Sequence, residues 1–159
     1  MRELHDFLTG DHARLDALLR ASIERGDAEA YDAFRRGLLR HIAIEERVLF
    51  PLLRARRGTT ELDQQLHRDH AALAALLVPP PTRVELSQIA AILEPHNALE
   101  ENDGGLYDLV EELAAGDLAA FMARVHAMPE VPVMPNVDND VVRMSIERLV
   151  REALASRHA

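Results

Sequence analysis

At 159 residues, with nearly half of its side chains apolar, the chain is long enough to bury one sizeable core. It has no cysteine, which excludes disulfides, zinc ribbons and thiolate-held iron–sulfur clusters and leaves only nitrogen and oxygen to hold a metal. The net charge of −9 and the lack of a basic face carrying aromatics argue against nucleic acid as a partner. No apolar run is long enough to span a bilayer, and Met1-Arg2-Glu3-Leu4-His5-Asp6 lacks a signal-peptide pattern, so a soluble cytoplasmic protein without a membrane partner is expected.

In chain order, the spacing of Leu4, Leu8, His12, Leu15 and Leu19 predicts a first helix over residues 3–25, ended by Gly26-Asp27. A second runs from about Ala28 to Arg57 with Leu38, His41, Glu45, Leu49 and Leu52 on one face. Pro51 has no N–H to offer the Arg47 carbonyl and predicts a kink there. Thr60 with Asp63 resembles a capping pair opening a third helix to about Val78, with Leu66, His70, Leu73 and Leu77 inward, before Pro79-Pro80-Pro81 stops it. A fourth starts near Thr82, carries Ile89, Ile92, His96, Leu99 and Glu100 on one face, and has a second expected kink at Pro95. Gly104-Gly105 breaks it, Leu106 to Ala115 reads as helix again, and Asp117 is the expected cap of a short segment to about Met128. Three prolines make residues 129–137 an extended connector. Asp138 or Asp140 then caps an amphipathic helix to about Ser156, whose stripe of Val142, Ile146, Leu149, Val150 and Ala153 suits packing on the bundle or docking on a second copy or partner.

An internal repeat organises the histidines. Shifted by 58, the segment Leu8–Leu19 falls on Leu66–Leu77 with eight identities in twelve positions, Asp11-His12-Ala13 matching Asp69-His70-Ala71. Shifted by 55, Leu38, His41, Ala43, Glu45 and Glu46 fall on Leu93, His96, Ala98, Glu100 and Glu101. Beyond that, Leu49-Phe50-Pro51 corresponds to Leu106-Tyr107-Asp108 if two residues are inserted at Asp103-Gly104-Gly105. Two helical hairpins so related pack as an all-α, up-down-up-down four-helix bundle, here with an extra C-terminal helix. The expected organisation is a bundle over 1–128, a connector over 129–137, and a C-terminal helix over 138–159 packed on the bundle or on a partner.

In each half, His and Glu at i and i+4 share one helix face, so the six residues His12, His41, Glu45, His70, His96 and Glu100 converge on the bundle axis. Burying one such group unpaired costs about 2–7 kcal/mol, against a typical domain stability of ~5–15 kcal/mol. The seams are otherwise leucine and isoleucine, so something must bind this set. Four imidazoles and two carboxylates suit two metals bridged by the carboxylates, with iron first and zinc, manganese or copper as substitutes. The Glu-x-x-His spacing of the better-known di-iron bundles is absent. Fewer carboxylates leave less negative charge on the metals, which favours holding dioxygen over strongly oxidising chemistry.

The order His, His-x-x-x-Glu, His, His-x-x-x-Glu, with Glu45-Glu46-Arg47-Val48-Leu49-Phe50-Pro51 and Pro95-His96-Asn97-Ala98-Leu99-Glu100-Glu101, resembles the hemerythrin-like family, also called the HHE cation-binding domain, over about residues 5–112. The resemblance implies two non-haem iron ions bridged by two carboxylates and an oxo or hydroxo group, binding dioxygen, nitric oxide or a small anion at an open position. It makes His12, His41, His70 and His96 terminal ligands and Glu45 and Glu100 the bridges. Oxygen-carrying members have a fifth histidine four residues before the third-helix ligand. That position here is Leu66, with His67 beside it, so His67 either supplies the fifth ligand, supports a ligand from behind, or faces solvent. The insertion leaves Glu101 as an alternative to Glu100. His5, about 10 Å from His12 by helix rise, is expected outside the site. Asp11 and Asp69 could accept hydrogen bonds from imidazoles or face solvent.

The expected function is a di-iron binding protein that senses, carries or buffers dioxygen, nitric oxide or iron without turnover. The alternative is a di-iron oxidoreductase, a peroxidase or nitric oxide-handling enzyme with Tyr31 or Tyr107 relaying electrons. A homodimer would use the C-terminal stripe.

Overall fold

Glu3 and Asp6 place negative charge in the first turn of α1 (Glu3–Arg25), and Gly26, at φ +61°, ends it in the left-handed conformation that favours glycine. The structure, a computed structural model, describes residues 2–157. Met1, His158 and Ala159 lie outside the described residues, and with them the outer ends of the expected 1–128 and 138–159 units. The Asp27 side chain accepts from the Ala30 N–H at 3.0 Å and caps α2 (Ala28–Ile44).

The second predicted helix is continuous but not uniform. Residues Glu45–Leu49 form a π turn, after which α3 (Phe50–Arg57) resumes the α pattern. The Phe50 N–H reaches back five residues to the Glu45 carbonyl. Pro51 cannot donate to Arg47, and widening the turn absorbs that missing bond where a kink was expected.

Thr60 and Asp63 form the expected capping box at α4 (Glu61–Leu76), with Asp63 accepting from the Thr60 N–H at 2.6 Å. A second box, Thr82 with Glu85, opens α5 (Arg83–Glu101), which runs unbroken through Pro95. Leu99 is exposed rather than inward. Gly105 turns the chain into α6 (Leu106–Ala114): a Cβ there would sit 2.6 Å from the Leu99 carbonyl oxygen and 2.8 Å from that of Glu100, so no larger residue fits. Asp117 precedes α7 (Leu118–His126), but its side chain makes no capping bond. At α8 (Asp140–Ala155) the cap is Asn139, accepting from the Val142 N–H at 2.9 Å. Neither Asp138 nor Asp140 does this, and Asp138 instead accepts from Arg143 at 2.8 Å.

The fold is an all-α bundle of α1, α2–α3, α4 and α5, with α1 packed on α2 and α5, α4 on α5, and the extra helix α8 along α4. Its apolar core is split in two. Leu4, Leu8, Leu49, Phe50, Leu66, Tyr107 and Val110 form one cluster, closed by Phe121 and Val125 of α7. Leu15, Leu19, Phe34, Leu38, Leu73, Leu76, Ile89 and Ile92 form the other, which Ile146, Val150 and Ala153 of α8 complete. Between Leu8 and Leu15 on α1 stands His12; between Leu66 and Leu73 on α4 stands His70. The polar residues thus form a layer across the bundle between two apolar halves.

Candidate metal centre

His12 from α1, His41 from α2, Glu45 from the π turn and Glu100 from α5 bring one donor atom each to within 4.8 Å of one another, and Glu45, His70, His96 and Glu100 do the same beside them. Both carboxylates are fully buried and belong to both groups. His67 is not brought in: its ring is largely exposed, and its Nδ1 pairs with Glu46 Oε1 at 2.8 Å. At i−3 from His70 it lies around the helix from the axis. Glu101 is not central either, since Glu100 takes the buried position. His5 lies outside the cluster, its Nε2 2.9 Å from the Glu101 carbonyl oxygen.

Every imidazole has one nitrogen turned outward to a carboxylate. His41 Nδ1 donates to Asp11 at 2.7 Å and His96 Nδ1 to Asp69 at 3.0 Å. His70 Nδ1 donates to Glu46 at 2.8 Å, and His12 Nδ1 to Glu101. The repeat extends to these partners: Asp11 corresponds to Asp69, and Glu46 and Glu101 each serve the opposite half. The roles of Glu46 and Glu101 escaped sequence reasoning, although both stood in the repeat as identities. Asp69 also takes a two-pronged contact from Arg157 of the C-terminal segment, at 2.5 and 2.6 Å, whereas Asp11 pairs with the exposed Arg14. No sequence pattern links Arg157 to Asp69, 88 residues away.

The inward atoms behave differently. Glu45 Oε2, His70 Nε2 and Glu100 Oε1 are buried without a hydrogen-bond partner. Yet His70 Nε2 is 3.1 Å from Glu45 Oε2, and His96 Nε2 is 2.8 Å from Glu100 Oε1. Close but unbonded atoms are aimed at a common point rather than at each other. Donors sharing a cation at bonds of about 2.1 Å stand about 3 Å apart along an edge, so the spacing fits metal ligation.

Tyr107, fully buried, puts its hydroxyl into the first group, 3.0 Å from His12 Nε2, 3.2 Å from His41 Nε2, 3.0 Å from Glu45 Oε1 and 2.9 Å from Glu100 Oε2. Tyr31 belongs to the other core cluster with Phe34.

Burial alone would push all four imidazoles down, but the surrounding carboxylates outweigh it and hold each above its ordinary value, His41 and His96 at about 10. Burial likewise pushes Glu45 up, and His41 and His70 outweigh it and hold it well below the usual range. The Tyr107 phenol is driven up by burial and by the charges of Glu100 and Glu45, so its own surroundings keep its proton on. A cleft of about 660 Å³ between α1, α2 and α5 reaches His12, His41 and His96 past Leu15, Leu38 and Leu93.

Fold and layer define a helical-bundle protein with paired, buried imidazole–carboxylate groups suited to cations. The family model of the hemerythrin HHE cation binding domain matches residues 3–104, and the chain belongs to that family. No curated protein and no solved structure matches it significantly. No described helix is long and apolar enough to cross a membrane.

Proposed function

We propose that the protein holds two non-haem iron ions in this layer, His12 and His41 serving one, His70 and His96 the other, with Glu45 and Glu100 shared, and that it binds dioxygen, nitric oxide or a small anion reversibly. The observation that carries this reading is that three inward atoms, Glu45 Oε2, His70 Nε2 and Glu100 Oε1, lie close to neighbouring donors and hydrogen-bond to none. A network filled by protons alone would aim the His70 Nε2–H at a carboxylate oxygen, and it is not so aimed although Glu45 Oε2 is 3.1 Å away. Bound there, iron would supply a redox-active centre with room for an exogenous ligand. The chain's own part is to orient and to screen. Asp11, Glu46, Asp69 and Glu101 hold each outer nitrogen protonated, which turns the Nε2 lone pair inward. The two apolar half-cores seal the layer above and below, and the cleft gives small molecules a way in. Any association of two copies through α8 would use what the bundle leaves exposed, Val141, Met144 and Leu154.

The test is anaerobic loading with ferrous iron followed by controlled dioxygen exposure, with metal content and absorbance recorded together. About two irons per chain, as the two donor groups require, and a spectrum that reverses on removing dioxygen are expected. Failure to take up iron, with unchanged thermal stability, would overturn the reading. Tyr107, in contact with both shared carboxylates, favours a second one, a di-iron oxidoreductase of the peroxidase or nitric oxide-handling type. Multiple-turnover consumption of peroxide or nitric oxide in the presence of a reductant distinguishes it from stoichiometric binding.

A further inference from the structure

We infer that Tyr107 is itself a metal ligand, a phenolate oxygen on the position held by His12, His41, Glu45 and Glu100 and on that position alone. This rests on the metal-binding reading above and goes beyond it. A hydroxyl offers one donor proton and two lone pairs, yet the Tyr107 oxygen has four polar atoms at 2.9–3.2 Å. One hydroxyl cannot satisfy four neighbours. A ligand at the apex over four others, by contrast, stands about 3 Å from each of them when bonds are about 2.1 Å.

The four others are linked at similar spacing along three edges, and all four donor atoms lie within 4.8 Å of one another. His12 Nε2 is 3.0 Å from His41 Nε2 and 3.1 Å from Glu100 Oε2, and His41 Nε2 is 2.5 Å from Glu45 Oε1. The Tyr107 oxygen touches all four. Its placement is built in: Gly105 brings the start of α6 against the last carbonyls of α5, and Leu106 and Val110 anchor the helix in the core, leaving the ring fully buried.

The other position has no counterpart. In the register of the repeat Phe50 stands where Tyr107 does, and its ring stacks on His70 at 5.7 Å between centroids, with no donor atom to offer. The two positions are therefore chemically different despite the repeat: one has five protein donors with a hard anionic oxygen among them, the other four. Coordination exchanges the phenol O–H bond for an oxygen–metal bond and releases one proton to solvent. A phenolate stabilises the ferric over the ferrous state at its own position.

The chain has two tyrosines, which makes the test clean. The full-length protein is loaded with iron, oxidised, and examined by absorbance and by resonance Raman spectroscopy with visible excitation. The expected result is a broad visible phenolate-to-iron(III) band with enhanced tyrosine ring modes that shift on incorporating ring-deuterated tyrosine. Tyr31→Phe keeps both signals; Tyr107→Phe loses them while still taking up iron. Oxidised protein that carries its iron and shows neither band nor ring modes overturns the inference and leaves the metal-binding reading standing. Protein that takes up no iron overturns both. Should Tyr107→Phe fail to fold, the labelled wild type and Tyr31→Phe decide the matter.

Discussion

Each histidine of the layer divides its two nitrogens between opposite tasks, the outer one donating to a carboxylate and the inner one left for the axis. The outer contact fixes both ring angle and tautomer, and replacing such a partner typically costs about 10–100-fold in metal affinity. Glu101→Gln and Glu46→Gln are each expected to weaken iron binding by that order while the bundle stays folded, because both side chains reach solvent at their edges. Competition against a chelator of known affinity measures the loss, with circular dichroism as the folding control. Unchanged affinity would mean that these glutamates only decorate the surface. Glu45→Gln differs in kind: Glu45 belongs to both donor groups, so both ions should be lost together.

At the scale of elements, the π turn at Glu45–Leu49 sets where Glu45 points. Pro51→Ala restores an N–H to that stretch and lets a regular helix compete with the widened turn. Thermal stability is expected to rise by up to about 1 kcal/mol, because the recovered N–H can restore a regular helix bond, while iron affinity falls as Glu45 turns away from the axis. A variant that gains stability and binds iron as before would show that the turn is incidental. The same stretch marks how far the sequence could be read. Most helix boundaries, the cap at Thr60 and the six inward residues follow from local patterns: the periodicity, the Thr60–Asp63 spacing and the repeat. Asp27 reads only as the end of α1, and its capping of α2 is seen in the structure. The way the chain accommodates Pro51 is not local, since it depends on whether the neighbouring helices let the backbone bend or hold it straight. His67 failed to reach the axis for a simpler reason: one residue turns a helix by about 100°, so with Leu66 fully buried on the inward face its neighbour His67 is carried round to solvent. The cap of α8 was misjudged because Asp138, Asn139 and Asp140 are all competent caps, and only the Arg143 contact settles which is free. Tyr107 and Arg157 meet the layer through tertiary packing alone.

At the scale of the whole molecule, α8 is held to the bundle by charge as well as by its apolar stripe. Burial pushes the Glu85 carboxyl up, but hydrogen bonds from Thr82 and Arg143 outweigh it and hold it at about 2. A folded-state value below the unfolded one contributes stability that is present above about pH 4.5 and lost as the pH falls toward about 2. Amide exchange in residues 140–155 is therefore expected to quicken over that window before the bundle itself unfolds. Glu85→Gln should flatten the dependence; a variant that follows the wild type would place the acid sensitivity elsewhere.

The other end of α8 connects to the metal layer. Arg157 grips Asp69 with two hydrogen bonds, Asp69 accepts from His96, and Gln65 ties Asp69 to the Ala153 carbonyl at 2.9 and 3.1 Å. Asp11, its counterpart, pairs besides His41 with Arg14 of its own helix, so of the two aspartates one ties its histidine to α8 and the other does not. Whatever fixes His96 must then favour the docked helix, and docking must tighten the hold on the ion by the same factor, since such coupling is reciprocal. Iron loading is expected to slow amide exchange along α8, and Arg157→Gln to abolish that slowing and lower affinity at the His70–His96 position by about tenfold, leaving the Tyr107 side nearly untouched. Exchange in α8 that is indifferent to iron would reduce Arg157 to a structural clasp.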